Sequence, residues 1–82
     1  MTQEQLDLVY KLMVKNFKIK LEDIKPESSF EEDFKADSLD VIEFFIDLED
    51  ELHLENIDYS ELQNKISTVQ DVLNELEKLL NK

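Results

Sequence analysis

Phe34-Lys35-Ala36-Asp37-Ser38-Leu39-Asp40-Val41-Ile42-Glu43-Phe44-Phe45-Ile46-Asp47-Leu48-Glu49-Asp50-Glu51-Leu52 is the stretch on which the fold turns. From Asp37 onward it holds Asp37, Asp40, Glu43, Asp47, Glu49, Asp50 and Glu51, and no basic residue. Its apolar residues recur at three- and four-residue steps, which predicts an amphipathic helix beginning at Asp37 or Ser38. At about 100° per residue, Val41, Ile42, Phe45, Leu48 and Leu52 share one side. Asp40, Glu43, Asp47, Asp50 and Glu51 share the other. Leu39 and Ile46 fall beside the acidic stripe, away from the core face. That arrangement suits a helix presented to a partner.

The start of this helix has its own chemistry. Asp37 is suited to cap the first turn, which sets the Ser38 hydroxyl near unpaired backbone amides and the positive end of the helix dipole. A phosphate ester on that hydroxyl would meet a favourable field. The plain alternative is a serine that serves only the cap.

Upstream, Thr2-Gln3-Glu4-Gln5 has the spacing of a capping box, with Thr2 as N-cap and Gln5 reaching back. Leu6, Val9, Tyr10, Met13 and Phe17 then predict a first helix over about residues 3–17. Lys11, Lys15, Lys18 and Lys20 gather toward its C-terminal end and beyond, well apart in sequence from the acidic helix. In the long connection from Lys18 to Ala36, Leu21, Ile24, Phe30 and Phe34 are too apolar for a free linker, so it is expected to pack on the bundle. Pro26, Ser28 and Ser29 mark a turn there, with a short helical turn expected over 29–33. The chain has no glycine, so any left-handed backbone position falls to Asn, Asp, Lys or His.

Downstream, His53-Leu54-Glu55-Asn56-Ile57 leads into Asp58-Tyr59-Ser60-Glu61, another capping spacing. It predicts a short third helix over about 59–64, with Leu62 and Tyr59 turned inward. Ser67-Thr68-Val69-Gln70 then caps a fourth helix over about 69–80, whose Val69, Val72, Leu73, Leu76, Leu79 and Leu80 form one stripe. The expected fold is all-α: a small four-helix bundle of three longer helices and one short helix, with a long first loop.

Eighty-two residues make one small domain, expected to span 1–82. With no cysteine, disulfides, thiolate metal sites and cysteine nucleophiles are excluded. The charge of −12, from 21 acids and nine lysines, repels nucleic acid and anionic membranes and favours basic partners. An apolar content of 41% with clear periodicity argues against disorder. No apolar run approaches the roughly 20 residues of a membrane span, and no signal-peptide pattern opens the chain. A cytoplasmic monomer without membrane insertion is expected.

Catalysis by the chain itself finds little support. The one histidine, His53, lies at the far end of the helix that Ser38 opens, roughly 20 Å away at 1.5 Å per residue, so no hydrolytic triad forms. His53 is expected at that helix C-terminus instead. Carboxylates on an exposed stripe are solvated and weakly coupled, a poor acid–base pair. A calcium loop begun at Asp33 would put Lys35 at its third position, Ser38 where glycine is needed and Phe44 where glutamate is needed. No specific metal site is expected, only weak divalent screening of the acidic stripe.

Ala36-Asp37-Ser38-Leu39, followed by an acidic amphipathic helix, resembles the acyl carrier proteins of fatty acid synthesis, whose signature is a Gly-Ala-Asp-Ser-Leu-type motif. Lys35 stands where that family usually has glycine. The Gly-Gly-His-Ser-Leu of peptide-synthesis carriers is not matched. Ser29-Phe30-Glu31-Glu32-Asp33 and Ile66-Ser67-Thr68-Val69-Gln70-Asp71 extend the likeness over nearly the whole chain. It departs most around His53–Ile57, where the family usually has a proline and a slightly shorter loop.

The resemblance implies a carrier, not an enzyme. Ser38, flanked by Asp37 and Leu39, would bear a covalent 4′-phosphopantetheine arm taken from coenzyme A by a phosphopantetheinyl transferase (a holo-acyl-carrier-protein synthase). Growing acyl chains would ride on the arm as thioesters. Leu39, Asp40, Glu43, Ile46, Asp47, Asp50 and Glu51 would dock basic patches of fatty acid synthesis enzymes and acyltransferases. Reversing Glu43 and Asp47 to lysine would then slow transfer and leave the fold intact. Phe30, Ile42, Phe45, Leu48, Leu52, Ile57, Leu62, Ile66 and Leu73, a bundle core on the plain reading, would open to shelter the acyl chain. A carrier for polyketide or D-alanyl transfer, or an unmodified acidic interaction module, is the alternative.

Overall fold

The computed structural model describes residues 1–54 and 57–80. Its helices are α1 (Gln3–Phe17), α2 (Ser38–Leu52), α3 (Tyr59–Lys65) and α4 (Val69–Leu80), and a 3₁₀ turn covers Leu21–Asp23. The all-α, four-helix expectation holds. The third helix runs one residue beyond its expected end. Glu55 and Asn56, in the connection from α2 to α3, lie outside the described residues.

The helix ends follow from local chemistry. Thr2 Oγ1 accepts the Gln5 amide at 3.1 Å while Gln5 Oε1 accepts the Thr2 amide at 2.9 Å, so two otherwise unpaired donors are satisfied at the start of α1. At the ends of α1 and α2 the chain turns left-handed, at Lys18 (φ 55°) and His53 (φ 55°), and each cap amide bonds back into its helix. A third left-handed residue is Lys35 (φ 56°). In a chain without glycine these positions cost on the order of 1–2 kcal/mol each, and lysine and histidine fill them as expected.

The core is drawn from every helix and from the first connection. Val9, Met13, Phe44, Leu48, Val69, Val72 and Leu76 are wholly inaccessible. All five phenylalanines join in one cluster. Phe17 of α1 packs on Phe30 and Phe34 of the connection and on Phe44 of α2, at centroid distances of 5.2, 5.8 and 5.3 Å, and Phe44 meets Phe45 at 5.5 Å. Such pairs add about 0.5–1.5 kcal/mol beyond their buried area. Phe44 is the residue that the periodic reading left off the core face. The first connection covers that flank of α2, so the buried arc is wider than its central stripe. Val41, Ile42 and Leu52, at the edges of the arc, are only half-buried.

The first connection is packed, as its apolar residues require, and the short turn expected over 29–33 is there, joined by a 3₁₀ turn that the sequence did not indicate. Leu21–Asp23 forms the 3₁₀ turn, while Ser29–Phe34 is a single turn in which the Asp33 and Phe34 amides both reach the Ser29 carbonyl. Backbone bonds then fasten the connection to the start of α4. The Phe30 amide donates to Ser67 O (3.1 Å), Val69 to Ser28 O (3.0 Å) and Gln70 to Pro26 O (2.9 Å). These bonds satisfy backbone groups that burial would otherwise strand. They also bring Ser29–Glu31 and Ile66–Ser67 up against the beginning of α2.

Candidate functional site

Ser38 is the first residue of α2 and is exposed. Asp37 caps the helix: its Oδ1 accepts the Asp40 amide at 2.9 Å, and Asp40 Oδ2 accepts the Asp37 amide at 3.2 Å. This is a capping box built from two aspartates. The sequence reading recognised Asp37 and missed its reciprocal partner, although the three-residue spacing was there to see. The box uses the amides of Asp37 and Asp40. Those of Ser38 and Leu39 have no partner among the described residues, and neither has the Ser38 hydroxyl. An exposed hydroxyl therefore stands beside free amides at a helix N-terminus, a setting that stabilises negative charge.

Beside Ser38 lies an open hollow of about 190 Å³, lined by Ser29, Phe30, Glu31, Ala36, Asp37, Val41, Ile66 and Ser67. Its far wall is held by the cap of α4. Thr68 Oγ1 accepts the Asp71 amide, and Asp71 Oδ2 accepts from the Ser67 and Thr68 amides and the Ser67 hydroxyl. The Ser67 amide foremost, then the Thr68 amide and the two hydroxyls, hold the Asp71 carboxyl below its usual range.

The residues expected to shelter an acyl chain divide between the core and two separate hollows. Phe45 and Leu48 are fully buried, Leu52 and Leu73 pack half-buried against the core cluster, and Ile42 is half-buried. Phe30 and Ile66 line the hollow beside Ser38, together with Ala36 and Val41, which the sequence reading did not single out for this. Ile57 and Leu62 line another of about 220 Å³ with Leu79 of α4. α3 is held against α2 by the Tyr59 hydroxyl, which donates to Glu49 Oε2. Burial, then the Glu49 carboxylate, push the Tyr59 phenol up to about 12.

The acidic face of α2 is less uniform than its sequence. Glu43, Asp50 and Glu51 are exposed, and Leu39 and Ile46 stand beside them at 60% and 49% exposure. Asp40 is half-buried in the capping box. Asp47 is turned toward α1, where its Oδ2 accepts from Asn16 Nδ2 at 2.9 Å and lies 3.5 Å from Lys15 Nζ. The lysines of α1, remote in sequence from the acidic helix, thus include one that reaches it. Ile46, Asp47, Glu49, Asp50, His53 and Leu54 together line an open depression of about 420 Å³ at the C-terminal end of this face.

Comparison with known proteins gives this geometry a family. Residues 7–76 match the family model described as a phosphopantetheine attachment site. The match runs from the second turn of α1 into α4 and takes in Ser38, its capping box and the hollow beside it, far more than a short motif. The chain belongs to that family and is a carrier protein with an attachment site for 4′-phosphopantetheine.

Proposed function

We propose that Ser38 carries the phosphopantetheine arm and that the protein presents acyl chains to the enzymes of fatty acid biosynthesis. One observation above all supports the attachment residue: Ser38 offers an exposed hydroxyl, unengaged among the described residues, at the first position of a capped helix. The surroundings fit the group. The free amides of Ser38 and Leu39 and the helix dipole favour a phosphate. The apolar walls of Phe30, Ala36, Val41 and Ile66 suit the alkyl part of a flexible arm. When attached, the arm supplies a terminal thiol that holds acyl groups as thioesters, so a chain without cysteine can take part in thiol chemistry.

The chain's own residues bind, orient and present. The Asp37–Asp40 box fixes the backbone on which Ser38 sits. The Phe30 amide's bond to the Ser67 carbonyl and the Val69 amide's bond to the Ser28 carbonyl keep the hollow's two walls together. Leu39, Glu43, Ile46, Asp50 and Glu51 offer basic enzymes a charged ridge with two apolar contacts, and Asp40 and Asp47 add to its field from half-buried positions. Exposed ion pairs are individually weak and salt-screened, which suits a partner that must leave again. A carrier of this class is a substrate of a phosphopantetheinyl transferase and of the enzymes that load and unload its arm.

Ala36-Asp37-Ser38-Leu39 supports fatty acid synthesis over the other carrier pathways. The test against D-alanyl transfer is loading, since a polyketide carrier also takes malonyl groups. After the arm is attached, the protein is offered a malonyl group with a malonyl transferase and, separately, D-alanine with ATP and a D-alanyl ligase. Malonyl loading alone is expected. D-Alanyl loading without malonyl loading would move the protein to another pathway.

A further inference from the structure

Lys35 is the only lysine or arginine between Lys25 and Lys65, and it comes three residues before Ser38. Acids crowd around it in the sequence: Glu31, Glu32, Asp33, Asp37 and Asp40. Its backbone is pinned on both sides. Phe34 and Ala36 are buried, and the Ala36 amide donates to the Phe30 carbonyl at 2.8 Å. Between these anchors Lys35 is exposed, left-handed at φ 56°, and makes no ion pair among the described residues, although Asp33 and Asp37 are two positions away. Three residues of chain span at most about 10 Å, and a lysine's flexible four-carbon stem covers much of such a gap.

We infer that Lys35 is the counter-charge of the arm, its ammonium pairing with the phosphodiester on Ser38. A phosphodiester there gains from the helix N-terminus but enters a region dense in carboxylates. Coulomb repulsion from those carboxylates acts on the modified protein and is absent from the unmodified one. The one cation near enough in sequence to offset it is Lys35, on a backbone anchored at both neighbours. Glycine would fill a left-handed position with no steric cost; lysine brings the charge.

The inference rests on Ser38 being the attachment residue, and the test separates the two. Unmodified and modified forms of wild type, Lys35→Gln and Lys35→Arg are prepared, with intact mass reporting the single added arm. The readout is the change in thermal midpoint on modification, so backbone effects of each substitution cancel within its own pair. At low salt, modification should be less favourable in Lys35→Gln than in wild type by about 2–4 °C. Lys35→Arg should behave as wild type, and high salt should close the gap. Equal changes in wild type and Lys35→Gln, with the mass gain in both, would overturn the pairing and leave Ser38 in place. No mass gain in wild type would overturn both.

Discussion

Asp47 shows how one side chain can serve fold and surface together. On α2 it belongs by periodicity to the acidic face, yet Asn16 and Lys15 of α1 hold it half-buried. Asn16 is itself oriented by a bond to the Leu12 carbonyl at 2.9 Å. Reversing Asp47 would therefore strike the α1–α2 contact as well as any docking role, unlike the reversal of an exposed acid. The cleaner pair is Glu43→Lys with Asp50→Lys. It should slow transfer by partner enzymes roughly tenfold at low ionic strength and leave the urea midpoint unchanged. Asp47→Lys should lower stability by about 1–2 kcal/mol. Unchanged transfer kinetics in the Glu43/Asp50 variant would remove the docking role. The sequence put Asp47 on the right face but could not show what crosses to it, because the partner lies 31 residues away. The residue types at the left-handed positions were legible, since a chain without glycine leaves few for them, but which lysines would take them was not.

α3 is the element most dependent on its neighbours. Seven residues are too few for a helix to stand alone in water. It relies on the Asp58 cap, on buried Leu62 and on the bond from Tyr59 to Glu49. The phenol titrates near its ordinary value of 10.0 when the chain is unfolded and at about 12 when folded. Because the folded value is the higher, the contribution is complete below pH 10. It is lost as pH rises through about 12. Tyr59→Phe should lower stability by about 1 kcal/mol at neutral pH, flatten this alkaline loss, and speed amide exchange across α3 before the other helices. Exchange in α3 identical to wild type would contradict the role given to this bond. The start of α3 was readable from Asp58 because capping is local chemistry. The 3₁₀ turn and the bonds between the first connection and α4 were not, because backbone pairing between distant segments leaves no side-chain pattern.

At the scale of the molecule, the charge is as uneven as it is large. Five of the nine lysines lie between Lys11 and Lys25, while the stretch from Asp37 to Leu52 carries acids alone. A net charge of −12 draws cationic surfaces from a distance, an effect that salt weakens. The helices hold Ser38 at the end of α2, with the first connection and the start of α4 packed beside it. That a serine opens α2 behind an aspartate cap was legible from the residues around it. The hollow next to it was not, since Ala36, Val41 and Ile66 meet there only through the fastening of the connection to α4. The attachment residue remains the point on which the function hangs. The measurement that bears on it most directly is the intact mass of wild type and Ser38→Ala after incubation with coenzyme A and a phosphopantetheinyl transferase of broad specificity. A gain of one phosphopantetheine in wild type and none in Ser38→Ala is expected. A wild-type mass left unchanged by an active transferase, or an equal gain in Ser38→Ala, would contradict the assignment.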